Sequence, residues 1–157
     1  MSGFGRILED LNAAEVAYVL VGGIAMIRHG VVRATRDIDA VFEPSEENVA
    51  RVRELIDRWE ATRPDGSAVV MEDLGPDRTI HLATPHGDLD LLSEKIAGIP
   101  FAQLRERADV KDVDGVAAPI CSLVDLVAMK RAVGRDRDIA DLSDLEMAHG
   151  ELPTAGS

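Results

Sequence analysis

Three carboxylates carry the chemistry of this sequence. Asp37 and Asp39 stand two residues apart in Asp37-Ile-Asp-Ala-Val-Phe42, where acid and apolar side chains alternate and predict a strand with one polar and one buried face. Residues i and i+2 of a strand point to the same side with Cα atoms about 6.5 Å apart. Two acids so placed repel each other unless a cation sits between them. Magnesium is usually held by one or two carboxylates together with substrate phosphates. A second acid pair, Asp88 and Asp90, shares one face of Gly87-Asp-Leu-Asp-Leu-Leu92, with Leu89 and Leu91 on the other. If that strand brings Asp90 beside Asp37 and Asp39, the three acids form a cluster able to hold two metal ions about 3.5–4 Å apart for phosphoryl chemistry. Alone, Asp37-x-Asp39 reads as a solvated strand face; the third acid turns the reading toward metal. Asp88 reads equally as part of a half-exposed hairpin.

Upstream, Gly22-Gly23 separates an apolar run from a helical one. Two glycines there let a backbone approach an anion closely, and a helix start offers free N–H groups. A tight turn needs the same two residues. Farther on, Lys130 projects from the side of a helix opposite the apolar stripe Leu123, Leu126, Val127, Met129, Ala132 and Val133. It is either solvated or a ligand for phosphate.

The elements that must position these residues follow from periodicity. Phe4, Ile7, Leu8 and Leu11 mark an amphipathic first helix, and Val16 to Val21 a wholly apolar strand. A helix from Ile24 to His29 stops at Gly30. After the Asp37–Phe42 strand, Ser45 caps a helix reaching Trp59, with Glu46 and Glu47 at its positive end. Strands are predicted at Ala68–Met71, Thr79–Ala83 and Leu89–Leu92, the last two joined by the turn Thr84-Pro85-His86-Gly87. A helix over Phe101–Ala108, a hairpin around Asp114-Gly115, a helix from Ser122 to Val133 and a last helix over Asp136–Ala148 complete the chain. No repeat or linker divides it, so one α/β domain is expected over residues 1–149, with core 15–118, C-terminal helices 122–149, and a flexible tail at 150–157.

Composition narrows the function classes. A net charge of −12 over 157 residues argues against a nucleic-acid binder driven by bulk positive charge, and 3% aromatics against stacking platforms for bases. The charge is uneven: Gly22–Arg36 holds Arg28, Arg33 and Arg36 and no acid, and Ala128–Arg135 holds Lys130, Arg131 and Arg135 and no acid. A single cysteine, Cys121, excludes a disulfide framework and a multi-cysteine zinc site. His29, His81, His86 and His149 share no ligand spacing with it and read as surface or turn residues. The longest apolar run is too short to span a bilayer, and no basic segment leading into an apolar run opens the chain; a cytoplasmic protein without membrane contact is expected. There is no Walker loop, Gly-x-Ser-x-Gly elbow or His-Glu-x-x-His helix.

Taken together, Gly22-Gly23, Asp37-Ile-Asp39 and Asp90 resemble the pattern of the nucleotidyltransferase superfamily typified by the DNA polymerase β palm. More narrowly, Arg33-Ala-Thr-Arg-Asp-Ile-Asp39 with Leu126–Leu142 looks like the small bacterial nucleotidyltransferases related to abortive-infection and toxin–antitoxin toxins. The resemblance implies an α/β fold with a mixed, largely antiparallel central sheet flanked by helices and C-terminal helices beyond it. It implies that Gly22 and Gly23 receive the phosphates of a nucleoside triphosphate such as ATP, without the serine usual at the second place. Thr35 and Arg36 would contact phosphate. Asp37 and Asp39 would ligate two Mg²⁺ ions, and Asp90 would complete one of them and take the proton of the acceptor hydroxyl. Lys130 would reach the triphosphate. Arg135, Asp138 and Asp141 match the family's Lys-x4-Arg-x2-Asp-x2-Asp helix pair, in which the acids orient the bases.

The implied reaction transfers a nucleoside monophosphate to an RNA end or a protein hydroxyl with release of pyrophosphate, and a toxin of this kind would have a cognate antitoxin. Antibiotic-modifying nucleotidyltransferases keep the chemistry and use a small hydroxyl compound as acceptor. A silent nucleotide-binding or interaction module is the alternative from another class, and the retained, mutually repelling acids argue against it.

Overall fold

The computed structural model describes residues 3–154. A six-stranded mixed sheet forms the centre, built from β1 (Tyr18–Val21), β2 (Asp37–Phe42), β3 (Thr79–Thr84), β4 (Gly87–Leu92), β5 (Asp109–Val113) and β6 (Val116–Ile120) in the order β3-β4-β2-β1-β6-β5. The pairs β1–β2, β3–β4 and β5–β6 are antiparallel, while β1–β6 and β2–β4 are parallel. Around it lie α1 (Gly3–Ala13), α2 (Gly22–Arg28), α3 (Glu46–Trp59), α4 (Glu94–Ala97), α5 (Phe101–Arg107), α6 (Leu123–Val133) and α7 (Asp136–His149). Among the described residues no helix is long and apolar enough to cross a membrane.

Register follows from burial. Ile38 and Ala40 of β2 and Leu89 and Leu91 of β4 are fully buried, so the alternate residues Asp37, Asp39, Asp88 and Asp90 share the other side. All four residues of β1 are buried, as its unbroken apolar run requires.

The predicted Ala68–Met71 strand is absent. Ala68 makes only an isolated bridge to Thr62, and Met71–Leu74 is a 3₁₀ turn. Val70 and Met71 are 44% and 53% exposed and Val69 alone of this short apolar run packs against the core, so the run has no continuous face to bury. Arg63 instead closes the loop with two hydrogen bonds to Asp73. The second helix starts at Gly22, two residues before the expected Ile24. The C-terminal stripe ends early: Met129 is half-buried and Val133 is 53% exposed. The segment expected as a tail begins packed, with Leu152 buried and Arg131 donating to the Pro153 carbonyl; residues 155–157 lie outside the described ones.

Asn48 fastens the end of the sheet remote from the acids. Its buried amide accepts from the Ala17 N–H at 2.7 Å and donates to the Ala17 and Glu43 carbonyls at 2.9 Å each. Replacing it with alanine strands buried backbone groups on two segments. Asn48→Ala is expected to lower the unfolding free energy by about 2–4 kcal/mol, read from urea denaturation curves.

Candidate active site

The acids meet where β1 ends and β2 begins. Val21 is the register partner of Asp39 across β1–β2, so the chain leaves the sheet at Gly22 directly beside that carboxylate. Gly22 has φ +63, and a Cβ on it would lie 2.1 Å from Asp39 Oδ2. A Cβ on Gly23 would meet Thr35 Oγ1 at 2.7 Å. Each glycine therefore admits a particular neighbour, one a carboxylate and the other a hydroxyl. The Gly23 amide hydrogen-bonds Asp39, and Thr35 Oγ1 donates to the Asp37 carbonyl at 3.1 Å.

Parallel pairing of β2 with β4 sets Asp39 beside Asp90 and Asp37 beside Asp88. Asp90 is 19% exposed, whereas Asp88 is on the surface. Burial pushes the Asp39 carboxyl up to about 6, reinforced by the charge of Asp90, a hydrogen bond with it and the charge of Asp37, and opposed by the Gly23 amide. Burial and then the charges of Asp90 and Asp88 also raise Asp37, with His81 and Arg36 pulling the other way. Among the described residues no three His, Cys, Asp or Glu side chains are gathered into a ready metal cage.

A basic cluster lies alongside. Lys130 does not project into solvent: its side chain is 14% exposed, 2.6 Å from Asp141 Oδ2 and 3.6 Å from Asp138 Oδ1. Arg135 precedes α7 and binds Asp138 through Nε at 2.7 Å and its own backbone N–H at 3.1 Å. That hydrogen bonding holds the Asp138 carboxyl below its ordinary value. Arg36 is exposed beside Asp37.

Asp37, Asp39, Asp90, Gly22, Gly23, Thr35 and Arg36 thus converge, and Lys130, Arg135, Asp138 and Asp141 form a second group. Two residues without an assigned role in the sequence join them. Arg33 reaches from the loop before β2 to Asp141 Oδ1 at 2.9 Å. His81 of β3 is the register partner of Asp90 and places Nδ1 2.7 Å from its Oδ1. A two-residue turn at Pro85-His86 puts these two opposite each other, so counting back from that turn could have found His81. Cys121 is fully buried, its thiol pushed up to about 12 by burial and then by Asp125, which leaves it inert.

Residues 6–150 match the family described as Nucleotidyltransferase of unknown function (DUF6036). Solved structures share the fold at low identity. The antibiotic-resistance factor ANT(2'')-Ia is 12% identical with a TM-score of 0.61, covering 94% of this chain and 83% of its own. An antigenic nucleotidyltransferase-like protein of Paracoccidioides brasiliensis is 14% identical with a TM-score of 0.59, covering 92% and 72%. The lincosamide antibiotic adenylyltransferase LnuA, solved with lincomycin bound, is 16% identical with a TM-score of 0.55, covering 93% and 96%. No curated protein matches the sequence.

With its carboxyl pushed up to about 6 from an ordinary 3.8 by burial, Asp39 holds its proton more tightly in the folded than in the unfolded chain. The resulting destabilisation is fully present above about pH 6 and gone below about pH 4. In chelator at pH 7.5, Asp39→Asn is therefore expected to stabilise the protein by on the order of 1 kcal/mol. That gain should shrink as pH falls toward 4, followed by thermal unfolding across the range. Gly22→Ala should cost about 2 kcal/mol or more in the same assay, because its Cβ meets the carboxylate and its φ is strained.

Proposed function

Since the chain belongs to this nucleotidyltransferase family, we propose that it moves a nucleoside monophosphate from a nucleoside triphosphate to a hydroxyl acceptor, with Asp37, Asp39 and Asp90 as its metal-holding residues. The observation that carries the reading is the pairing of Asp39 with Asp90 on adjacent parallel strands, with Asp37 on the same face. Two carboxylates in hydrogen-bonding reach of each other need a shared proton or a cation. All their donors are hard oxygens, and Gly22 leaves room for Asp39 at the backbone. This donor set fits magnesium, which takes few protein ligands and completes its shell with phosphate and water. Two such ions would neutralise charge on the transferring and leaving oxygens.

The chain's own residues supply the rest. The acceptor oxygen attacks the α-phosphorus, the bond to the β-phosphate's bridging oxygen breaks, and pyrophosphate leaves. Asp90 takes the acceptor's proton, oriented by His81. Thr35, Arg36 and the Gly22-Gly23 backbone face the nucleotide's phosphates, with Lys130 and Arg135 beyond them. Asp138 and Asp141 act as positioning residues for those two bases.

Charge favours one class of acceptor. Asp88 is exposed next to Asp37 and Asp90, on a chain of net charge −12. That surface repels an RNA backbone and attracts a cation. A small, positively charged hydroxyl compound is therefore the acceptor the site supports best, in keeping with the antibiotic adenylyltransferases that share the fold. An RNA or protein acceptor belongs to the toxin reading, which a cognate antitoxin would accompany.

Incubation with Mg²⁺ and each α-labelled nucleoside triphosphate, with aminoglycosides, lincosamides, RNA and protein extract offered in turn, tests this. Label is expected in a small-molecule arm, and Asp37→Asn or Asp39→Asn should reduce it by at least roughly a hundredfold while the protein stays folded. Label only in RNA or protein would move the acceptor to the toxin class. Nucleotide binding without transfer to any acceptor would make the chain a silent module.

A further inference from the structure

We propose that Arg33 is a ligand of the substrate's phosphate chain, held in place by Asp141, which it shares with Lys130. The identity of the nucleotide rests on the transferase reading; the phosphate site can be tested without it. Asp141 is nearly buried and uses each oxygen on a different cation, Oδ1 on Arg33 Nη1 at 2.9 Å and Oδ2 on Lys130 Nζ at 2.6 Å. The two cations are thereby held side by side although Arg33 and Asp141 stand 108 residues apart in sequence. A carboxylate that only stapled the loop to α7 would be best served by a two-pronged contact with one guanidinium, as Asp73 makes with Arg63. Arg33 contacts Asp141 through one nitrogen, its side chain is 37% exposed, and most of its five donors remain for another partner.

The position of this pair suits phosphate. Arg33 lies two residues before Thr35, which packs against Gly23. Lys130 is close enough to Cys121 for its charge to act on that thiol, and the Cys121 N–H donates to Leu20, two residues before Gly22. Both cations therefore flank the Gly22-Gly23 segment on the side away from β4. The loop carrying Arg33 is fixed to α7 at a second place, where Gly30 approaches Ala148 and His149 bonds the His29 carbonyl. Asp141 and Ala148 are seven residues, or about two helical turns, apart on one face of α7. Arg33, Lys130 and Arg135 stand against Asp138 and Asp141, so the cluster carries one positive charge in excess. An anionic chain reaching it would meet donors already set in place, whereas the acids of β2 and β4 would repel it without a cation.

Calorimetric titration of the full chain with inorganic tripolyphosphate at fixed Mg²⁺, together with ligand-free unfolding midpoints, tests the assignment. Arg33→Met is expected to weaken tripolyphosphate about tenfold or more. Arg33→Lys can keep the ion pair with Asp141 but lacks the forked donors; it should retain the midpoint and still weaken binding several-fold. Arg58→Met, which removes the same charge from the exposed face of α3, should leave affinity unchanged. Unchanged affinity in Arg33→Lys, an equal loss in Arg58→Met, or no tripolyphosphate binding by the wild type would each overturn the proposal. Should Arg33→Met fail to fold, Arg33→Lys decides. Arg33-dependent tripolyphosphate binding without nucleotide transfer to any acceptor would remove the transferase reading and leave the phosphate site standing.

Discussion

The carboxylate of Asp39 is pressed between a backbone and another carboxylate, and the rest of the structure is arranged so that this can happen. Its Oδ2 occupies the space that a side chain on Gly22 would fill, while its neighbour across the parallel pair is Asp90. Neither contact is favourable for an isolated acid: burial penalises the charged form and Asp90 repels it, with only the Gly23 amide in its favour. What holds it there is the opposite face of the same strands. Ile38, Ala40, Leu89 and Leu91 are fully buried, and a slip of one residue would send these into solvent and the acids into the core. The apolar side of β2 and β4 thus sets the position of charges it never touches.

That coupling explains what could be read from the sequence. Alternation in Asp37–Phe42 and Gly87–Leu92 gives the strands, and the cap residues Ser45 and Ser122 give the starts of α3 and α6, because each of these signals is local. The convergence of Asp37, Asp39 and Asp90 follows from two strands of matching pattern. Less was legible where partners are remote. Lys130 sits on the polar side of α6 by periodicity, yet it is covered because α7 folds back with Asp138 and Asp141 facing it. Arg33 lies inside a motif read for its acids, and only the packing of the loop on α7 shows what it binds. Around Val70 the local signal misled, since a strand needs a neighbour with which to bury its face, and this stretch has none beyond one bridge to Thr62.

Net charge conceals a division into two poles. Acids cluster on β2 and β4, bases on the loop before β2 and on α6, and the Gly22-Gly23 segment runs between them. Burying Lys130 among Asp138 and Asp141 is weak support for stability, since desolvation of the charges offsets their attraction, and apolar residues of similar volume often do as well. Such a network earns its place better as a means of setting where cations point. Arg135 fits that view: it caps α7 with its backbone and clasps Asp138 with its guanidinium, so the start of the helix and the direction of a charge are fixed together.

A cavity of about 480 Å³ lies away from the acids, at the far end of β2 between Glu43, Pro44, Phe101 and Arg105. The acids gather instead at the other end of that strand, where Asp37, Asp39 and Asp90 are half-buried and only Asp88 is exposed, although a catalytic site is expected to be enclosed. Charge resolves the difference. A deep pocket lined by Asp37, Asp39 and Asp90 would raise the penalty already evident in Asp39 and drive the acids to bind protons instead of metal. Left partly open, the acids keep water close; on the function proposed above, a phosphate chain and its cations would bring the missing positive charge and the missing wall at once. The protein needs to pre-form only the parts that water cannot set: the register of two strands, the gap at Gly22, and the separation of the basic pole from the acidic one.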